Sequence, residues 1–178
     1  SKSEMSPFIH PDGETLYFTS DGHLGMGGFD IFMSKKQTDG SWSIPQNLGY
    51  PINTHKDEGF FIVSASGITA IFASDQLNGF GKYDLYSFEL PIDARPRPVT
   101  YIKGTIADKI SLKKLGAEFE LYDIKTGELV VKSFSDELDG SFLLSLPTSS
   151  TYALNVSKNG YLFYSENFEL KDTSSILK

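Results

Sequence analysis

The chain contains no cysteine, which excludes disulfides, thiolate nucleophiles and cysteine-bound zinc. Positive charge is scarce as well. Sixteen Lys and Arg stand against 23 Asp and Glu, for a net charge of −7, and phosphate backbones need clustered Lys and Arg, so nucleic acid is not an expected partner. No run of about 18 apolar residues occurs, so no segment is expected to span a bilayer. No secretory leader is visible, and "SKSEMSPF" reads as the middle of a protein, which leaves export open. Tryptophan is limited to Trp42, yet rings are plentiful, with 14 Phe and 9 Tyr. Such residues favour pleated, half-buried surfaces and predict an all-β fold. A length of 178 residues allows one large β domain or two small ones.

An internal repeat organises the first half. "GETLYFTSDGHLGMGGFDIF" (13–32) lies over "GITAIFASDQLNGFGKYDLY" (67–86) at an offset of 54 residues. Gly13, Thr15, Phe18, Ser20, Asp21, Gly25, Gly27 and Asp30 match Gly67, Thr69, Phe72, Ser74, Asp75, Gly79, Gly81 and Asp84. A phosphate-cradling loop would occur once and lead into a helix. Here the glycine-rich stretch occurs twice and leads into "FDIFMSKK" and "YDLYSFEL", which have strand character. It is therefore read as a strand-to-strand corner whose glycines supply positive φ and close backbone approach.

Each copy reads as a small antiparallel sheet: "SPFIH", a turn at "PDGE", "TLYFTS", the corner, and "DIFMSKK". A further turn at Asp39-Gly40 carries Trp42 towards an outer strand, and "YPINTHKDEGF" leads to the next copy. Three or four short strands at a period of roughly 40–55 residues is the pattern of a propeller blade. Together with "GSWSIPQNLGYPINTHKDE", these segments resemble the WD40-like, TolB-type propeller repeats of bacterial envelope proteins, over residues 4 to 90. The resemblance implies two blades, at 4–52 and 53–92. The second copy departs from the pattern at "VSASG" and at Gly81-Lys82, and it lacks a Trp segment, so it looks like the last blade. Propellers close with about four to eight blades, so two imply a piece of a longer protein or pairing with another chain, and the first is favoured.

"LPIDARPRPVTY" holds three prolines and predicts a stiff linker over 93–100. Beyond it, alternation places Phe119 and Leu121 on one face and Phe142, Leu144 and Leu146 on another. Turns are predicted at "KTGE" (125–128), Asp139-Gly140 and Asn159-Gly160. Six or seven short strands in this span predict a small β-sandwich. The pattern "GTIAD…AEFELYD…TGE…DGSF…YALNV…GY" resembles the carboxypeptidase regulatory-like, transthyretin-type domain over 101–172, which is an Ig-like sandwich. The wording of "KNGYLFYSENFEL" is similar to sandwiches that lie between a propeller and an OmpA-like peptidoglycan-binding domain in envelope lipoproteins of Bacteroidetes. That resemblance implies that residues 173–178 lead towards a further C-terminal domain.

Candidate sites are few. Asp21 and Asp30, with Asp75 and Asp84, recur at the corner among Gly25, Gly27, Gly79 and Gly81. They suit either a calcium loop, for which about six to eight oxygens must converge, or the fixing of the corner through backbone N–H groups. His10, His23 and His55 show no zinc-type spacing, and no G-x-S-x-G elbow is present. Asp57-Glu58 are expected to bond the connection between copies, Trp42 to pack on a neighbour, and Tyr161, Phe163, Tyr164 and Phe168 to be core or interface material. No cofactor is called for. The resemblances imply a non-enzymatic scaffold in the periplasm, associated with the outer membrane and, by analogy with relatives of this architecture, with secretion machinery. Envelope proteins would bind its propeller loops, and peptidoglycan would be held by the absent OmpA-like domain. The alternatives are a carbohydrate- or peptidoglycan-binding module, and an accessory fragment of a propeller-containing peptidase.

Overall fold

The computed structural model describes residues 2–74 and 83–171 and is all-β. Among these residues the only helical piece is a 3₁₀ turn at Ile92–Ala94. The chain divides into two units between Pro98 and Val99, and neither holds a closed sheet.

In the first unit, β1 (Glu4–Ile9), β2 (Thr15–Ser20), β3 (Asp30–Lys35) and β4 (Gln46–Asn47) pair in chain order as an antiparallel sheet. A second sheet orders β5 (Gly59–Val63), β6 (Thr69–Ser74) and β7 (Asp84–Glu89) in the same way. The 54-residue repeat is kept at the level of backbone detail. The turn bonds Gly13 N–H to His10 O and His10 N–H to Thr15 O recur as Gly67 N–H to Ser64 O and Ser64 N–H to Thr69 O. Both turn glycines sit at φ +73°, a left-handed conformation that a Cβ disfavours. The ladder β1–β2 slips between Met5 and Phe8, and β5–β6 slips between Gly59 and Ile62. At these bulges Ser6 and Phe60 take φ of 49° and 50°. A bulky side chain is strained there by about 1 kcal/mol or more. Phe60 is exposed, so Phe60→Asn, which tolerates the left-handed region, is expected to stabilise the unit by about 0.5–1 kcal/mol in urea denaturation.

The two sheets share one core. Tyr17, Ile31 and Met33 of the first sheet and Phe61, Val63, Ala70 and Phe72 of the second are buried in it, with Leu90 and Ala94. Tyr17 and Phe61 meet with ring centroids 5.1 Å apart. The outer strand expected after Trp42 is reduced to two residues, and Trp42 itself makes only an isolated bridge to Lys36. Pro45 interrupts the ladder between them, since it has no N–H to give.

The proline-rich segment is held against the first unit. Tyr17 Oη donates to Ala94 O at 2.7 Å, the Arg97 N–H donates to Asp12 Oδ2 at 3.0 Å, and Arg95 Nε donates to Leu90 O at 2.7 Å. Prolines remove donors from this stretch, and the side chains of neighbouring residues supply the anchoring instead.

In the second unit β8 (Val99–Thr105) pairs with β11 (Ser141–Pro147). A four-stranded antiparallel sheet runs in the order β10 (Leu129–Phe134), β9 (Glu118–Asp123), β12 (Ser150–Ser157), β13 (Tyr164–Leu170). The faces expected from alternation are the buried ones: Phe119, Leu121 and Leu146 form a core with Ile102, Tyr152 and Leu170, and Phe142 and Leu144 pack on it. The turn glycines Gly127, Gly140 and Gly160 all have positive φ. The connection at Asn159-Gly160 is wider than a two-residue hairpin. Pairing stops at Val156 and Tyr164, which leaves residues 158–163 outside the ladder.

Candidate functional site

The corner between β2 and β3 is built from its aspartates inward. Asp30 is buried, and its Oδ2 accepts N–H bonds from Met26 at 2.6 Å and Gly27 at 3.4 Å. A Cβ on Gly25 would lie 1.7 Å from that oxygen, and one on Gly27 would lie 2.1 Å from Lys56 O. Glycine is therefore required at both positions by close approach. Asp21 faces elsewhere: its Oδ1 accepts the Ser3 N–H at 2.6 Å. Asp84 opens β7, opposite Ser74. Asp75, Gly79 and Gly81 lie outside the described residues. Among the described residues no three acidic or histidine side chains are grouped so as to hold a metal.

The connection between the two sheets closes over this corner. Asp57 Oδ1 accepts the Phe29 N–H at 2.9 Å, and the Glu58 N–H donates to Phe29 O at 2.8 Å. Glu58 is buried, and its two oxygens accept Thr54 Oγ1 and the Thr54 N–H. Burial pushes the Glu58 carboxyl above its ordinary range, with the Asp30 and Asp57 charges adding to it, against the opposing Thr54 bonds. Asn53 completes the seam, exchanging two 2.8 Å bonds with the Ile31 backbone. Two backbone bonds carried by one side chain imitate a strand pairing.

A second polar centre was not singled out by the sequence. Asp12 is buried, and its Oδ1 accepts N–H bonds from Glu14 (2.9 Å) and Thr15 (3.0 Å). Its Oδ2 takes Thr15 Oγ1 (2.9 Å) and the Arg97 N–H (3.0 Å). Burial raises the Asp12 carboxyl, but the bonds from His10, Glu14 and Thr15 outweigh it and bring the pKa down to about 2. His10 is buried alongside. Its Nδ1 lies 3.2 Å from the Asp12 amide nitrogen and 3.5 Å from Asp12 Oδ2, and its Nε2 lies 3.1 Å from Ser64 O. Burial, with the Asp12 charge adding, pushes the Tyr17 phenol well up, so it stays a donor to Ala94. The "P-D-G" turn signal at Pro11 to Gly13 marks this aspartate as a turn former. Its bond to Arg97, 85 residues away, has no local signal.

His23 is exposed yet lies over Phe18 and Phe32, with ring centroids 6.0 and 5.1 Å away. Trp42 is 40 % exposed. Of the four rings expected to be core or interface material, Phe168 packs on the second core, whereas Tyr161, Phe163 and Tyr164 are exposed. The wide connection at 158–163 holds the first two out of the ladder. Comparison with family models, with curated proteins and with solved structures found no match for this chain.

Proposed function

We propose that the first unit is two consecutive blades of a β-propeller and the second a transthyretin-like sandwich, together a non-enzymatic scaffold segment of a periplasmic, outer-membrane-associated protein. The observation that carries this reading is a mismatch between repeat-equivalent faces. Tyr17 and Ile31 of the first copy are fully buried against the second. Their equivalents at an offset of 54, Ile71 and Leu85, are 37 % and 75 % exposed. On the opposite side of the first copy, Ile9, the equivalent of the buried Val63, is 58 % exposed. One face of each copy thus packs on the other face of the next, and the relation is open at both ends. A head-to-tail relation of this kind continues until it closes, which is how blades assemble.

The role that follows is structural. The copies present loops and an unsaturated apolar face to other blades, and envelope proteins would dock on the loop surface. Attachment to peptidoglycan is assigned to an OmpA-like domain outside this chain. Sedimentation velocity tests the blade reading. The chain is expected to self-associate with rising concentration, and Leu85→Lys, which charges the open face without touching the core, is expected to make it monomeric with an unchanged melting temperature. A wild-type chain that remains monomeric at the highest concentration would overturn the reading.

A further inference from the structure

We propose that the second unit carries a glycan-binding groove at the Phe134 end of its four-stranded sheet, a site for a neutral oligosaccharide of pyranose units. Phe134, Glu118 and Ser157 stand in one row across β10, β9 and β12. Tyr161 and Phe163 project beside them from the wide connection after Asn159-Gly160. Together these residues line an open groove of about 520 Å³, within the range of small-ligand sites.

The three rings are the first part of the argument. Phe134, Tyr161 and Phe163 are 67 %, 44 % and 67 % exposed. None of them pairs with another ring among the described residues. Their faces are thus open to a ligand, and an aromatic face with a polar surround fits the C–H face of a sugar ring as it fits other flat, amphipathic groups.

The polar surround decides the class of ligand. Asn159, with an amide that both donates and accepts, and Glu137 are exposed and make no hydrogen bond among the described side chains. Glu118 is engaged by Lys132, and Lys158 Nζ donates to Gly116 O while keeping its charge at the rim. A cationic peptide would meet the Lys158 ammonium, and an anion would meet Glu137 and Glu118. A purely apolar segment would strip water from Asn159 and Glu137 without replacing their bonds, which costs free energy. Vicinal hydroxyls, each both donor and acceptor, satisfy this mixed set.

The floor is preformed. Ser135 is buried and ties the two walls, accepting the Ala117 N–H at 3.0 Å and donating to Leu115 O at 2.8 Å. A groove held in this way needs little reordering on binding. The inference stands on the second unit alone and is independent of the blade reading.

Isothermal titration of the full chain with triacetylchitotriose, cellotetraose and maltotetraose tests it. At least one of these sugars is expected to bind with a millimolar or tighter dissociation constant. Tyr161→Ala and Phe163→Ala are each expected to weaken that binding roughly tenfold or more. The melting temperature should not change, because both rings are exposed. Trp42→Ala, in the other unit, should leave binding unaltered. No binding of any of the three sugars, binding retained in the Tyr161→Ala/Phe163→Ala double variant, or binding abolished by Trp42→Ala instead would each overturn the proposal.

Discussion

Asp12→Ala is expected to destabilise the first unit by about 3 kcal/mol, a loss of about two orders of magnitude in its folding constant. The carboxylate accepts four bonds, from the Glu14 and Thr15 N–H groups, Thr15 Oγ1 and the Arg97 N–H. Hydrogen bonds to a charged group contribute roughly 1.5–3 kcal/mol each, and they do not add, since water reaches the more exposed donors once the side chain is gone. Asp12→Asn keeps one acceptor oxygen and is expected to lose about half as much. Urea denaturation checks both variants, and a loss for the alanine variant below about 0.5 kcal/mol would mean that the turn and the 95–98 segment are held by something else.

The same carboxylate sets an acid limit. Its pKa falls from an ordinary 3.8 to about 2 in the folded chain. The stability it contributes is present above its unfolded pKa, near 4, and is lost as pH falls through about 2. Allowing for solvent screening, that contribution is about 1–2 kcal/mol. The wild-type chain should therefore lose stability more steeply between pH 4 and 2 than Asp12→Asn does. Glu58 has the opposite sign. Its raised pKa makes it favour folding when protonated, and this help fades as pH rises through its folded value.

Gly27→Ala is expected to cost about 2–3 kcal/mol. The added Cβ would sit 2.1 Å from Lys56 O and 2.7 Å from Thr54 O. Both atoms are backbone, so no side chain can turn aside to make room. The corner would have to part from the 53–58 connection and strain the bonds of Asp57 and Glu58 to Phe29. Gly59→Ala is the control, because nothing lies within 4 Å of its added Cβ and the change should stay within about 0.5 kcal/mol. Equal effects of the two substitutions on the denaturation midpoint would contradict the packing described for the corner.

Much of the fold was legible because it is written locally. The strand runs "TLYFTS" and "DIFMSK" are apolar and aromatic between turn signals, "AEFELYDI" alternates, "PDG" and "TGE" fix turns by residue type, and the 54-residue repeat carries strand bounds and bulges alike. What the sequence did not show depends on contacts between distant residues. The docking of Ala94 and Arg97 on Tyr17 and Asp12 spans 77 and 85 residues, whereas proline content alone predicted a stiff linker and gave no sign of where it would be anchored. The two-residue β4 reflects Pro45, which removes a ladder donor from what looked like a full outer strand. At the corner, glycine was expected for positive φ as well as close approach; Gly25 and Gly27 do not have positive φ, and it is close packing against Asp30 and Lys56 that excludes a Cβ there. The exposure of Tyr161 and Phe163 was not foreseen, because Asn159-Gly160 signals a tight hairpin while the ladder stops farther back, at Val156 and Tyr164. Loop width is decided by the register on both sides of a turn, which a dipeptide does not encode.

The central claim is that the two sheets are successive copies of one unit whose packing faces remain open at either end. The absence of cysteine makes a direct measurement available. Within the chain, Ile31 and Val63 share one core across the two copies. Their unsatisfied equivalents are Leu85 and Ile9, both exposed. A chain carrying Leu85→Cys and Ile9→Cys should, on mild oxidation, form a ladder of disulfide-linked oligomers, while either single variant should stop at dimers. A double variant that forms no more cross-linked product than the single variants would contradict the account.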